Sequence, residues 1–335
     1  MPEPKVSVAP TRSAPAAFGR GVSQVVANPG LLLAPLAFGG AVAASVAAAV
    51  LAVVFSFGRA FASAGRMAER GPAGISDFLE GLPGLVLASP GLIVLALLGV
   101  LVGLLLLTAL AAWIRAGVTG SLAEIDASAG ESAPLPAFRH PSLGPLFFRS
   151  ARRLFGGFFA LVNLYALVGS FVVLLIVLPL VGAFVAVAAG RSGLVVLFVV
   201  LLAGIVLVAT VASAALRVVY LVAGRVLAVE GLDALAATAR AIALVRAAPG
   251  RAATLYLLTV GGAMAVGLAF VFPRMVLTFA AGWMNAGVWA PVLVSGAFIL
   301  LQMGAAFAFD LAVTGAFIAL WPAEAARAAQ EPPPP

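Results

Sequence analysis

Six long apolar runs constrain this chain more than any other feature of its sequence. About 20 apolar residues, at 1.5 Å per residue, cross the ~30 Å hydrocarbon core of a bilayer. The runs are 31–57, 91–114, 154–190, 193–216, 252–272 and 288–320, and Asp310 is the only charged residue in them. A backbone in lipid must satisfy its own hydrogen bonds. The sequence therefore predicts an all-α, polytopic bundle of six transmembrane helices, forming one membrane domain over residues 18–322.

The composition excludes an ordinary water-soluble enzyme. Of the 335 residues, 64% are hydrophobic and 9% are charged, whereas a soluble domain has about 25% charged residues. The chain has no cysteine and one histidine, which excludes a disulfide framework, a thiolate metal site and a histidine-rich metal cluster. No catalytic constellation is recognisable, so an enzyme ranks behind the other classes, and no catalytic residue, metal or cofactor is predicted.

Two segments of the predicted domain leave alternatives open. The third run contains Pro179, which predicts a kink or a break in that helix. A division of this run at Gly169 and Ser170 is the alternative, and it would reverse the side of every later segment. The polar stretch Arg115–Arg153 predicts a solvated loop, in which the acids are Glu124, Asp126 and Glu131. The alternative is a metal or acid-base site formed by these acids with His140, which would require the side chains to converge. The terminal segments 1–17 and 323–335 are rich in Pro and Ala and predict disordered tails.

The basic residues predict an orientation. Alternate sides of six spans divide the 19 Lys and Arg residues unequally: five lie on one side and the other 14 on the opposite side. The five are Arg59, Arg66, Arg70, Arg191 and Arg274. The positive-inside rule then places both termini in the cytoplasm. The net charge of +7 indicates attraction to anionic lipid and not to nucleic acid.

The four tryptophans agree with this orientation, because indoles favour membrane interfaces. Trp113 and Trp321 fall at the predicted cytoplasmic helix ends. Trp283 and Trp289 fall in the short outer loop between the fifth and sixth spans.

A sequence repeat precedes three of the spans. Residues 18–31 align without gaps on residues 238–251, which pairs Arg20 with Arg240 and places a Pro-Gly step in the same register in both copies. Residues 147–157 occupy the equivalent place before the third span. The pattern predicts three units, each with a short interfacial amphipathic helix followed by a transmembrane hairpin.

The basic residues of these interfacial segments are candidate contacts for anionic lipid. Arg149, Arg152 and Arg153 lie at i, i+3 and i+4 and share one helix face. Arg240 and Arg246 lie in the last copy. Membrane lipid is the predicted partner; the alternative is that these arginines only fix the topology of the chain.

Asp310 is the candidate intramembrane charge. An acid inside a membrane helix costs about 2.5–3.5 kcal/mol on insertion scales and normally faces a partner within the protein. Arg217, near the cytoplasmic end of the fourth span, is the predicted partner. The alternative is an ion or proton pathway, in which Asp310 would serve a small permease or transporter-like protein.

The stretch Val229–Arg251 resembles a signature of a broad family of bacterial six-helix membrane proteins. That family is similar to the membrane domain found beside some glycerophosphoryl diester phosphodiesterases. The matching residues are Glu230, Gly231, Ala237, Arg240, Leu244 and Arg246. Ala241 and Ile242 depart from the family pattern, which favours a serine and an aromatic residue there. The resemblance implies fold and location only, and the expected function is an accessory or lipid-interacting membrane component without catalytic activity.

Overall fold

The protein is helical throughout the part that the structure describes. A computed structural model describes residues 12–42, 90–129, 134–188, 192–283 and 289–321. Its α-helices, in chain order, are α1 (Ala14–Ala27), α2 (Pro29–Val42, whose first turn Pro29–Leu32 is a 3₁₀ turn), α3 (Pro90–Ala129), α4 (Leu143–Ala188), α5 (Ser192–Glu230), α6 (Ala234–Ala247), α7 (Pro249–Trp283) and α8 (Trp289–Leu320). A further 3₁₀ turn covers Leu135–Phe138. These ranges contain no β-strand, and the predicted all-α class is confirmed.

Several of the described helices have the length and composition of membrane spans. Five of the described helices, α3, α4, α5, α7 and α8, are long and apolar enough to cross a bilayer. The count becomes six if the bent pair α1 and α2, which meet at 90°, is one span. The predicted first span, 31–57, lies largely outside the described residues, as do Arg59, Arg66, Arg70 and Arg191.

The chain divides into two compact units. Pro35–Ala111 forms one of them, and Met1–Ala34 with Ala112–Pro335 forms the other. Within the first unit, α3 exposes a series of leucines between Leu98 and Leu110. All the side-chain clusters described below belong to the second unit.

Each long helix of the second unit is exposed over one part and buried over another. In α4 the large apolar side chains from Leu167 to Val185 are mostly exposed, whereas Leu154, Phe158 and Leu161 are buried. The exposed stretch covers about 30 Å at 1.5 Å per residue, the thickness of a hydrocarbon core. We therefore infer that the exposed stretches face lipid. The buried parts pack together into one apolar core, which includes Val222, Leu255, Phe317 and Trp321.

The first and third copies of the sequence repeat share one local structure. Helices α1 and α6 have 14 residues each, and their bounds coincide when the copies are aligned. The side chains of Ser13 and Asp233 cap their N-termini by accepting a backbone N–H three residues on. Their C-caps, Asn28 (φ −132°, ψ 62°) and Ala248 (φ −141°, ψ 59°), have nearly the same backbone conformation before the Pro-Gly step. α1 begins at Ala14, four residues inside the predicted disordered tail.

The middle copy differs from the other two. Residues 147–157 are part of the continuous 46-residue helix α4, so this segment is not a separate interfacial helix. α4 also runs through Gly169, Ser170 and Pro179 without interruption. Of the predicted kink or break at Pro179, the break is therefore absent, and so is the alternative division of the third span. The middle copy has glycines where the other copies have Pro-Gly, and only proline removes the N–H that continues a helix.

Candidate functional site

Three helices bring one acid and two arginines together. Asp310 on α8 faces one arginine at each carboxylate oxygen: Nη1 of Arg115 lies 2.7 Å from Oδ2, and Nη2 of Arg217 donates to Oδ1 at 3.4 Å. The structure thus brings the predicted pair Asp310 and Arg217 together. It also shows a closer partner, Arg115, which sequence reasoning counted only as a topology residue at the end of the second span.

The three residues, here called the boundary triad, share a position on their helices. Arg217 follows the exposed stretch of α5 and directly precedes buried Val218. Asp310 directly precedes the buried end of α8, which begins at Leu311, and Arg115 lies at the start of the buried part of α3. The triad therefore lies where lipid-facing helix gives way to protein core.

The triad carries one excess positive charge, and its members differ in exposure. The side chain of Asp310 is 22% exposed, that of Arg115 is 34% exposed and that of Arg217 is 55% exposed. Arg115 makes the closer ion pair with Asp310, at 2.7 Å, and Arg217 makes a longer one, at 3.4 Å. The ring of Tyr220, one turn beyond Arg217, packs edge-on against Tyr165 with centroids 5.0 Å apart.

A second polar cluster is buried between α1 and the end of α3. Nε of Arg20 lies 2.5 Å from Oδ1 of Asp126, and Gln24 donates to the same oxygen at 2.8 Å. Asn28, one turn further along, donates to the backbone oxygen of Phe138 and accepts from the backbone N–H of His140. The cluster ties the N-terminal helix to the segment that follows α3.

This cluster corrects the prediction of a solvated loop. α3 continues to Ala129, so Glu124 and Asp126 are helical, and Asp126 is buried; Glu131 lies outside the described residues. The sequence held a usable signal, because Arg20, Gln24 and Asn28 recur every four residues and so share one helix face. A polar stripe of this kind on an apolar helix indicates a buried polar partner.

A third cluster explains the residues on which the family resemblance rests. The carboxylate of Glu230 lies 3.2 Å from Nη1 of Arg225 and 3.5 Å from Nε of Arg240. Gly231 has φ +69°, the left-handed conformation that commonly ends a helix and that glycine adopts without strain. Ala237 and Leu244 are buried in the core. The signature therefore encodes the turn from α5 into α6.

The predicted lipid contacts have different surroundings. Arg149 pairs with Glu124, and Arg240 pairs with Glu230. Arg152, Arg153 and Arg246 are exposed and make no ion pair within the part of the chain that the structure describes. Arg153 lines a cavity of about 390 Å³ together with Gly231, so it lies near the C-terminal end of α5. Arg217 of the boundary triad lies 14 residues before Gly231, on the other side of the buried part of α5. These arginines and the boundary triad therefore lie at opposite ends of the buried part of α5.

The tryptophans are not all at helix ends exposed to an interface. Trp321 is fully buried in the core, so the prediction that it anchors at an interface is wrong. Trp113 is half-buried and packs on Phe155 with centroids 5.8 Å apart. The side chains of Trp283 and Trp289 lie outside the described residues.

The arrangement suits binding of an anion better than metal binding or acid-base chemistry. Among the described residues, no group of three or more His, Cys, Asp or Glu side chains could hold a metal ion.

The chain was compared with known protein families, with curated proteins and with solved structures, and it matches none of them.

Proposed function

We propose that the chain is a multi-pass protein of the bacterial cytoplasmic membrane that interacts with anionic lipid as an accessory component and does not catalyse a reaction. Both termini lie in the cytoplasm. The observation that carries this proposal is the distribution of charge: the exposed apolar stretches of the long helices are uncharged, and the described arginines other than Arg274 lie at the boundary or on the core side of those stretches.

The positive-inside rule supports the proposed orientation. The boundary triad, the Arg20 cluster and the Glu230 cluster all belong to the core side of the exposed stretches. The exposed arginines Arg152, Arg153 and Arg246 add uncompensated charge to that side. A juxtamembrane Lys or Arg gains about 1 kcal/mol near an anionic leaflet, so this surface favours anionic lipid.

The orientation is tested by labelling single cysteines, because the chain has no native cysteine. Cysteines at positions 139 and 246 should be protected from a membrane-impermeant maleimide in intact spheroplasts. A cysteine at position 66 should react. Labelling of position 139 from outside would overturn the orientation.

The lipid interaction is tested with the exposed basic face of α4. Replacement of Arg149, Arg152 and Arg153 by Gln should reduce the phosphatidylglycerol that copurifies with the protein while the labelling pattern stays unchanged. Lipid retention equal to that of the wild type, in a correctly inserted variant, would leave these arginines only the role of topology anchors.

A permease that uses Asp310 as its moving charge has less support. Such an acid must be free to bind and release an ion or a proton. Both oxygens of Asp310 already face arginine, at 2.7 Å and 3.4 Å. The pairing favours a structural role for Asp310.

A further inference from the structure

We propose that the boundary triad binds the phosphate of one anionic phospholipid, with Arg217 as the contact residue. This inference rests on the proposed lipid interaction and assigns it to a site. The site lies between α3, α5 and α8, and its chemistry is recognition of a phosphate monoanion by a guanidinium group.

Arg217 has donor capacity that the protein does not use. A guanidinium group has five N–H donors, and the hydrogen bond to Asp310 is the one that Arg217 makes within the described residues. Arg115 already neutralises Asp310 at 2.7 Å. The charge of Arg217 is therefore largely uncompensated, although it lies beside a lipid-facing stretch.

The geometry of a guanidinium group suits phosphate. Its planar fork binds two oxygens of a phosphate at once, which a lysine ammonium cannot do. Asp310 accepts from one Nη of Arg217, and 55% of the Arg217 side chain is exposed, which leaves its other donors available to a ligand. Basic pockets between transmembrane helices commonly bind the headgroups of anionic lipids.

The surface next to Arg217 favours a lipid over a free phosphate ion. Positions 213, 210 and 206 lie on the helix face of Arg217, at spacings of four, seven and eleven residues. Their side chains, Ser213, Thr210 and Val206, are all exposed. No described helix covers this stripe, and an acyl chain whose phosphate is bound at Arg217 would lie along it.

Two variants separate the requirements of the site. Arg217→Gln removes the charge, and Arg217→Lys keeps the charge but removes the fork. Since Arg115 is the closer partner of Asp310, both variants should fold. The control is Arg139→Gln, which removes an exposed arginine that makes no ion pair among the described residues and lies outside the proposed lipid-contact helices α4 and α6.

The experiment is a titration of the detergent-purified full chain with phosphatidylglycerol, followed by native mass spectrometry, with phosphatidylcholine as the zwitterionic reference. Wild-type protein should bind one phosphatidylglycerol tightly. Arg217→Gln should weaken that site by about tenfold or more, and Arg217→Lys should weaken it less, whereas Arg139→Gln should bind like the wild type. If Arg217→Gln does not fold, the loss in Arg217→Lys alone tests the site.

The possible outcomes are distinguishable. If the wild type shows no preference for phosphatidylglycerol, the proposed function fails together with this inference. If the preference is present and both Arg217 variants keep it, this inference alone fails. If millimolar inorganic phosphate displaces phosphatidylglycerol from the site, the ligand is free phosphate and the assignment to lipid is overturned. Retention of the lipid against phosphate supports the lipid headgroup.

Discussion

Removal of the Asp126 carboxylate should cost more stability than removal of any exposed acid of this chain. Asp126→Ala takes the carboxylate away from Nε of Arg20 and from the amide of Gln24, which lie 2.5 Å and 2.8 Å from the same oxygen. Both donors are buried, so water cannot easily replace the lost acceptor. Breaking a buried ion pair by removing one partner costs about 3–5 kcal/mol.

The matched control is Glu124→Ala, two residues away on the same helix. Glu124 pairs with Arg149, but the two side chains are 40% and 65% exposed. Exposed ion pairs contribute about 0.2–1 kcal/mol. The two substitutions remove one carboxylate each from α3, so their difference isolates the effect of burial.

The assay is thermal unfolding of the purified variants in one detergent. Asp126→Ala should lower the melting temperature by roughly 6 °C or more, whereas Glu124→Ala should lower it by about 2 °C or less. A combined variant, Arg20→Met with Asp126→Leu, should recover part of the loss because it leaves no buried charge unpaired. Equal effects of the two alanine substitutions would refute the assignment of Asp126 to a buried cluster.

Two further predictions concern helix contacts. In double-mutant cycles with alanine, Asp310 should couple to Arg115 by about 1–3 kcal/mol and to Arg217 by less than about 1 kcal/mol. The coupling energy is measured as the departure from additivity of the changes in the free energy of unfolding. Equal couplings would contradict the asymmetric triad. Gly21→Ala should destabilise the protein by about 1–3 kcal/mol, because a Cβ at position 21 would overlap the backbone of α8. The control Gly19→Ala should be neutral or stabilising, because a Cβ at position 19 would meet nothing within 4 Å. Thermal unfolding that ranks the two variants in the opposite order would contradict the packing of α1 on α8.

Periodicity and hydropathy predict much of this fold, because lipid removes most alternatives to a helix. The spans beginning near residues 91, 193, 252 and 288 coincide with α3, α5, α7 and α8. What the apolar runs do not predict is how far the helices continue beyond them. α3 continues for 15 residues past Ile114, since its polar residues find buried partners in a core that forms only when the chain has folded.

The candidate site was predicted in part. Asp310 is conspicuous because it is charged in an apolar run, and Arg217 is the predicted partner because it lies near the cytoplasmic end of the fourth span. Arg115 is also an arginine at the end of an apolar run, like Arg217. Sequence alone, however, does not show that Arg115 on α3 meets Asp310 on α8. Trp321 was misplaced for a related reason, because a helix end that other helices surround has the same sequence pattern as one at an interface.

The residues of the boundary triad lie on corresponding helices of the predicted repeat. Each one lies on the second transmembrane helix of a proposed unit: α3 carries Arg115, α5 carries Arg217 and α8 carries Asp310. In the first two units an arginine stands near the start of the buried part, and an acid, Asp126 or Glu230, follows at the helix end. In the third unit the acid stands at the start of the buried part instead.

If the third unit also carried an arginine at the start of its buried part, three arginines would meet at this point, and their charges would repel each other at the edge of a low-dielectric layer. Replacement of one of them by Asp310 gives a centre that three helices can share, with one excess positive charge. The residual charge has no acidic partner within the triad, and it is the charge that the proposed anionic lipid would neutralise. Under that proposal, the acid at position 310 lets the three units meet at one centre and leaves a single positive charge for the lipid phosphate.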